Sequence, residues 1–578
     1  MVRIFLIIAL LAGTAASAQV TPFNYSIQKK SVGSNAAVVS AHTLASQAGL
    51  EILKQGGNAF DAAIATQLAL AVVYPGAGNL GGGGFMVAHT SDGRNIALDF
   101  RETAPSKATR DMYLDKKGNP ITSLSMEGHL ASGVPGTVAG LFATMKYAKL
   151  PFKTLIAPAI KLAEHGFVLT AWQAADFNGS RELFIKMNKS KIAFVRNNPW
   201  KEGDTLIQKD LANTLKRIRD FGAKGFYEGA TAKMIADEMK KGNGIITLAD
   251  LKNYKAKERA AMQFEYKGNQ IITMPLPSSG GIILEQLLKM IEKRDIASMP
   301  FQSPESVQLM TEAERRAYAD RAEFLGDPDF VKVPVSTLIS DEYLEKRMSD
   351  YVPGKAGSST ATKYGNVHES EQTTHLSIVD KEGNAVSVTT TLNDHFGNKT
   401  VISGAGFIMN NEMDDFSVKQ GVPNMYGAVG NEKNAIAPGK RMLSSMTPTI
   451  VLQNGKPAIV VGTPGGTTIP TSVFQSLVNI IDYKMSPEDA VNKPKFHHQW
   501  LPDEIFIEPD FSAETKAALL TMGYKLDMRG YIGRTELIKI DEVIPEEIFS
   551  NHNGISRKPS LRITAVADKR GDDDARGY

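Results

Sequence analysis

Gln372-Thr373-Thr374-His375-Leu376-Ser377-Ile378-Val379-Asp380-Lys381-Glu382-Gly383-Asn384-Ala385-Val386-Ser387-Val388-Thr389-Thr390-Thr391-Leu392-Asn393 is the stretch on which the reading of this chain turns. Leu376, Ile378, Val386 and Val388 alternate with small or polar residues, and Glu382-Gly383-Asn384 supplies turn chemistry, so the segment reads as a β-hairpin. With Asp380 facing Asn384, antiparallel counting sets Val379 opposite Ala385, Ser377 opposite Ser387 and Thr373 opposite Thr391. Facing residues on antiparallel strands have Cβ atoms about 4.5–5.5 Å apart, near enough for two hydroxyls to bond. Threonine is common in strands, and the hairpin alone favours that plain reading. A hydroxyl becomes a useful nucleophile once a base takes its proton, and a free α-amine on the same residue is one such base. That amine requires a cut between Gln372 and Thr373.

Three further words lie downstream: Asn410-Asn411-Glu412-Met413-Asp414-Asp415-Phe416, Leu443-Ser444-Ser445-Met446-Thr447-Pro448 and Gly462-Thr463-Pro464-Gly465-Gly466. With Gln372-Thr373-Thr374-His375, they resemble the γ-glutamyltransferase (γ-glutamyltranspeptidase) family of N-terminal-nucleophile (Ntn) hydrolases, in the family's order and at compatible spacings. The resemblance implies an α+β fold, a four-layer αββα sandwich formed jointly by large and small fragments of one precursor. It implies that Thr373 Oγ attacks the carbonyl of Gln372, leaving a large fragment 19–372 and a small catalytic fragment 373–578. The freed amine of Thr373 then serves as base for its own hydroxyl, with Thr391 orienting it.

By the same resemblance, Arg101, Ser444 and Ser445 hold a substrate α-carboxylate, while Asn393, Glu412 and Asp415 hold its ammonium. The chemistry suits those tasks: a guanidinium offers a planar donor fork, and carboxylates accept from a cation. Gly465 and Gly466 are the expected oxyanion donors, since residues without side chains let backbone N–H groups approach developing charge. Tyr426 stands at the position of the family's lid tyrosine, in the polar loop Gln420 to Asn431; a lid excludes water and favours an amine acceptor. Cephalosporin-type acylases lack that loop.

The implied activity is transfer of a γ-glutamyl group from glutathione-like compounds, through a Thr373 ester, to an amino acid, a peptide or water. Its partners are small γ-glutamyl substrates and amine acceptors, and no cofactor is called for. Two alternatives stay open: an Ntn amide acylase of the same fold (cephalosporin/glutaryl type), which Arg101 with Asp415 speaks against, and an uncleaved γ-glutamyl-binding protein.

Elsewhere the residues set bounds. Met1-Val2-Arg3, an apolar run from Ile4 to Leu11 and Ala16-Ser17-Ala18 make residues 1–18 a secretory signal peptide, placing the mature chain in the periplasm. No later stretch reads as a transmembrane helix. A net charge of +3, from 65 basic and 62 acidic residues, gives no reason to expect nucleic acid. The chain has no cysteine, which excludes disulfides, thiolate metal sites and a cysteine nucleophile. Ala41 to Lys54 reads as a helix, and an alanine-rich helix from Asp61 has too few polar positions to face solvent.

Gly76-Ala77-Gly78-Asn79-Leu80-Gly81 matches GxGxxG, yet a helix precedes it and a strand follows, the reverse of a dinucleotide site. The strand Ile96 to Phe100 delivers Arg101. From Leu150 to about Ser370 the pattern is largely amphipathic helix, and the charged helix Glu312 to Asp327 reads as a solvated face. Residues 351–372 are poor in apolar periodicity and read as a flexible tail. Ser444-Ser445 lacks GxSxG context, and Glu412-Met413-Asp414-Asp415 lacks a supporting ligand set, so no metal is expected. His375, His497 and His498 read as core histidines. The resemblance weakens between Ile532 and Leu561, and 536–560 reads as an insertion.

Overall fold

The computed structural model describes residues 21–359, 373–543 and 560–578. The expected signal peptide, Gln372, most of the expected tail and residues 544–559 lie outside them. The hairpin forms in the register that counting gives, with Thr373 opposite Thr391, Ser377 opposite Ser387 and Val379 opposite Ala385. Its turn is pinned by Asp380, whose Oδ1 accepts from the Glu382 and Asn384 amides at 2.9 and 3.0 Å. Asp380 Oδ2 accepts from Ala59 N at 2.8 Å, so a carboxylate sits on the N-terminus of the helix Ala59–Val73, where the helix dipole favours it. Asn58 and Asp61 close a capping box on that helix, worth about 1 kcal/mol. All its residues are buried, as its alanine-rich composition requires.

The hairpin lies inside a seven-stranded antiparallel sheet ordered Asp574–Gly577, Ala37–Ser40, Thr373–Val379, Ala385–Thr391, Gly83–His89, Asn95–Asp99 and Lys257–Ala260. A second seven-stranded sheet runs Lys30–Gly33, Ser560–Ala567, Glu536–Val543, Lys456–Gly462, Thr449–Gln453, Asn269–Thr273 and Met262–Tyr266. Strand side chains point alternately to opposite faces, and each sheet uses both. Val39, Phe85, Val87 and Val379 meet Ile272, Ile450, Val460 and Ile538 between the sheets. Val38, Met86, Leu376 and Val388 face the helices Thr43–Lys54, Ala59–Val73 and Phe152–His165. Tyr266, Ile271, Val451 and Val461 face the helices Gly280–Glu292, Pro304–Phe324 and Thr468–Ile481. The result is the four-layer αββα arrangement, with strands from both sides of residue 373 interleaved in each sheet.

Several expectations change. Lys257–Ala260, Met262–Tyr266 and Asn269–Thr273 are strands within the stretch read as helical. Lys257–Ala260 is a sheet edge with mostly exposed side chains and so carries little apolar alternation, whereas Met262–Tyr266, the edge of the other sheet, does alternate, with Phe264 and Tyr266 buried and Gln263 and Glu265 exposed. Residues 351–359 are held rather than free: Gly354 N donates to Gln308 Oε1 at 2.8 Å, Gly357 N to Glu312 Oε1 at 3.0 Å and Ser359 N to Asp503 Oδ2 at 2.7 Å. The helix Pro304–Phe324 is not a solvated face, because Glu312, Glu314, Arg315, Arg316, Asp320 and Arg321 are all buried. The expected insertion begins as the core strand Glu536–Val543, which pairs with Ser560–Ala567. The GxGxxG glycines serve close packing: a Cβ on Gly81 would lie 2.1 Å from the Ile408 carbonyl oxygen. No helix among the described residues is long and apolar enough to cross a membrane.

Candidate active site

One cavity gathers Thr373, Thr391, Asn393, Arg101, Glu412 and Asp415, and its remaining wall carries Tyr426, Ser444, Ser445 and Gly466. Hairpin pairing delivers the two threonines: Thr373 Oγ donates to Thr391 Oγ at 3.4 Å, a long contact of the kind that tightens during catalysis. Thr391 Oγ also accepts from Asn393 N at 2.8 Å, just past the strand end. Asn393 sits in the left-handed region at φ +74, which asparagine tolerates better than most residues. Its side-chain amide donates to the Asn411 carbonyl at 3.1 Å, tying the hairpin to the Asn410-to-Asp415 loop.

The charged end of the cavity is built around Arg101, delivered by the strand Asn95–Asp99. Its guanidinium is bonded to Glu412 through Nη1 and to Asp415 through Nη2, with Glu102 3.9 Å away. Burial alone would lower the Arg101 pKa, but these carboxylates overcome that and hold it charged. Burial pushes Glu412 well above the usual carboxylate range, raises Asp415, and lifts Glu102 to about 8. Burial thus favours the protonated form of these acids, while the Arg101 charge works against it. Glu412 is 1% exposed, and its Oε2 has no hydrogen-bond partner among the described residues.

Opposite lies the loop Leu443 to Met446. Ser444 N donates to the Pro277 carbonyl at 2.9 Å and Ser279 N to the Ser444 carbonyl at 2.8 Å, so the Pro275-to-Gly281 stretch forms its backing. Gly465 and Gly466 lie just ahead of the Thr467 N-cap of the helix Thr468–Ile481, whose dipole favours negative charge there, and their carbonyls accept from Thr468 N and Ile469 N at 2.9 and 3.3 Å. Both have positive φ, +138 and +54. Tyr426 roofs the cavity: its hydroxyl donates to the Asn393 carbonyl, and a Cβ on Gly466 would come within 2.7 Å of its ring. The loop carrying it is anchored by two acids. Asn424 donates to Asp415 Oδ1 at 3.0 Å, and Met425 N to Asp414 Oδ2 at 2.9 Å.

The histidines are core residues. His375 bonds Thr389 and Ser377, His497 bonds Thr471 and Gln499, and burial lowers both to about 3. Sequence reasoning missed Asn424 and Arg321, which also line the cavity. A signal for Arg321 did exist: it continues the fully buried stripe Ala313, Ala317 at helical spacing.

Comparison with known proteins agrees with this geometry. The Gamma-glutamyltranspeptidase family model matches residues 45–578. The chain is 46% identical over 547 residues to the glutathione hydrolase proenzyme of Escherichia coli (strain K12), covering 92% of this chain and 94% of that one. To the glutathione hydrolase proenzyme of Pseudomonas sp. (strain A14) it is 48% identical over 496 residues, 85% and 86% of the two chains. Among solved structures, the cephalosporin acylase from Bacillus halodurans superposes with a TM-score of 0.81 at 25% identity, covering 96% of this chain and 98% of that one. Helicobacter pylori gamma-glutamyltranspeptidase superposes with a TM-score of 0.55 at 47% identity, covering 57% of this chain and 96% of that chain. Fold, cavity and sequence together place this chain in the gamma-glutamyltranspeptidase family.

Proposed function

We propose that the chain is a secreted, self-processing γ-glutamyltransferase and hydrolase, cut before Thr373 into two fragments that stay together. The observation that carries the reading is one cavity in which the Thr373 hydroxyl, backed by Thr391, faces both charges needed for an amino-acid head group. The relatives named glutathione hydrolase proenzyme support both the cut and the substrate class.

In this reading Thr373 Oγ first attacks the Gln372 carbonyl. The peptide C–N bond breaks, its nitrogen becomes the free amine of Thr373, and water hydrolyses the ester. That amine then takes the Oγ proton as the hydroxyl adds to the substrate's γ-carbonyl. Amides at Gly465 and Gly466 meet the oxyanion; one such donor is worth about 3–4 kcal/mol. Collapse expels the leaving amine with the proton, and water or an acceptor amine resolves the ester. Glu412, Asp415 and Asn393 hold the donor's ammonium, and the unpartnered Glu412 Oε2 is the strongest support for that assignment. Arg101, Ser444 and Ser445 serve the α-carboxylate, and Tyr426 closes the cavity against water.

An acylase taking glutaryl donors is the other reading, favoured by the superposition on a cephalosporin acylase. Such donors carry no ammonium, leaving Glu412 Oε2 without a partner to meet. The test is intact mass and N-terminal sequencing of wild type and Thr373→Ala, followed by γ-glutamyl- and glutaryl-anilide assays. Two fragments, the smaller beginning Thr-Thr-His-Leu, an uncut variant and preference for the γ-glutamyl anilide are expected. A wild-type chain that stays whole overturns the enzyme reading, and a glutaryl preference establishes the acylase.

A further inference from the structure

Two guanidiniums line the cavity, and their surroundings differ. Arg101 is met by Glu412 and Asp415, with Glu102 close behind. Arg321 comes from the helix Pro304–Phe324 and is 8% exposed. Its hydrogen-bond partners are hydroxyls: Nε donates to Ser279 Oγ at 3.1 Å and Nη2 to Ser445 Oγ at 3.3 Å. The acids nearest it are engaged elsewhere, Asp415 with Arg101 and Asp320 with Arg347. Among the described residues no ion pair includes Arg321, and burial lowers its pKa. The Asp415 carboxylate, already bonded to Arg101, offsets part of that burial from a distance, but the groups bonded to Arg321 are neutral, an unfavourable setting for a buried cation.

The arrangement divides the labour between the two arginines. Arg101 shares its fork between the α-carboxylate assigned to it above and the two acids that face an ammonium. Arg321 lines the same cavity without an ion pair among the described residues, a guanidinium fork with donors to spare. By donating to the oxygen of Ser445, it leaves that hydroxyl's own proton to point at an incoming anion. We propose that Arg321 determines specificity for the α-carboxylate of the acyl donor, binding it directly and through Ser445. The proposal rests on the γ-glutamyl reading above.

The test measures matured wild type, Arg321→Gln and Arg321→Lys on a γ-glutamyl anilide and on its α-carboxamide analogue, which keeps the shape and ammonium but loses the negative charge. For Arg321→Gln, KM for the charged substrate should rise about 10- to 100-fold with kcat nearly unchanged, the value of a charge-assisted contact. On the carboxamide, wild type and variant should agree to within about threefold. Arg321→Lys should restore part of the loss on the charged substrate alone. Equal losses on both substrates, or an unchanged KM for the charged one, overturn the proposal in favour of a structural role. If Arg321→Gln does not mature, the lysine variant decides by the same criterion: a KM increase confined to the charged substrate supports the assignment, and anything else refutes it. A wild type inactive on both substrates fails the γ-glutamyl reading itself, and this proposal with it.

Discussion

Replacing Thr391 by valine removes one hydroxyl at the centre of the sheet and keeps the branched shape. The residue is 3% exposed, so solvent cannot take over its role. Its Oγ lies 3.4 Å from Thr373 Oγ and accepts the Asn393 amide at 2.8 Å. Losing that acceptor leaves a buried N–H without it, a cost of about 1–3 kcal/mol in stability. The catalytic cost is separate. As Thr373 Oγ gives up its proton it gains negative charge, and a hydrogen bond to a charged group is worth about 1.5–3 kcal/mol, or roughly 10- to 150-fold in kcat. Of the head-group contacts only Asn393 depends on Thr391, the others lying on other elements, so KM should change less than kcat. The assay is anilide release by matured enzyme in single turnover, alongside denaturant unfolding, with Thr391→Ser as the control that keeps the hydroxyl. A valine variant with lowered stability and a wild-type single-turnover rate would refute the reasoning, leaving Thr391 as an acceptor for Asn393 and nothing more.

Gly466→Ala places a methyl group at φ +54, about 1–2 kcal/mol unfavourable for an L-residue, and 2.7 Å from the Tyr426 ring. Activity should fall about 10²- to 10³-fold if the amide is displaced, and the product ratio should move from transfer toward hydrolysis as the lid shifts; an unchanged rate and ratio would exclude the oxyanion assignment. Asp414→Asn addresses pH. Burial raises the Asp414 pKa from 3.8 to about 6, so its proton stabilises the folded chain below the unfolded value, and that contribution is lost as pH rises through about 6. The shift amounts to ~3 kcal/mol. Urea unfolding of the asparagine variant should therefore show a shallower decline between about pH 4 and 6.5, and an unaltered slope counts against the assignment.

The hairpin register was legible because strand periodicity is two and the turn is short, so one anchor at Asp380 fixed every partner up to Thr373. Motif words likewise gathered the cavity's principal residues. What the chain order hid were relationships made only by folding. Arg101 meets Glu412 and Asp415 across more than three hundred residues, and nothing local to Arg101 distinguishes a carboxylate-bound fork from an open one. Arg321 lay in a run of alternating charges that reads as solvated, because the loops covering it come from Ser279 and Ser445. The edge strand Lys257–Ala260 was missed for the opposite reason: its exposed side chains leave no apolar pattern to read.

The interleaving of the sheets bears on what the proposed cut can do. It severs one covalent bond, whereas among the described residues five strand ladders join the two sides: Thr373–Val379 and Asp574–Gly577 flank Ala37–Ser40, Ala385–Thr391 pairs with Gly83–His89, Thr449–Gln453 with Asn269–Thr273, and Ser560–Ala567 with Lys30–Gly33. Each ladder holds the others at high effective concentration, so the halves could part only if all opened together. Either half alone would present bare strand edges, which are templates for aggregation. On this architecture the proposed cut follows folding of the whole chain, because strands from both sides of residue 373 complete each sheet.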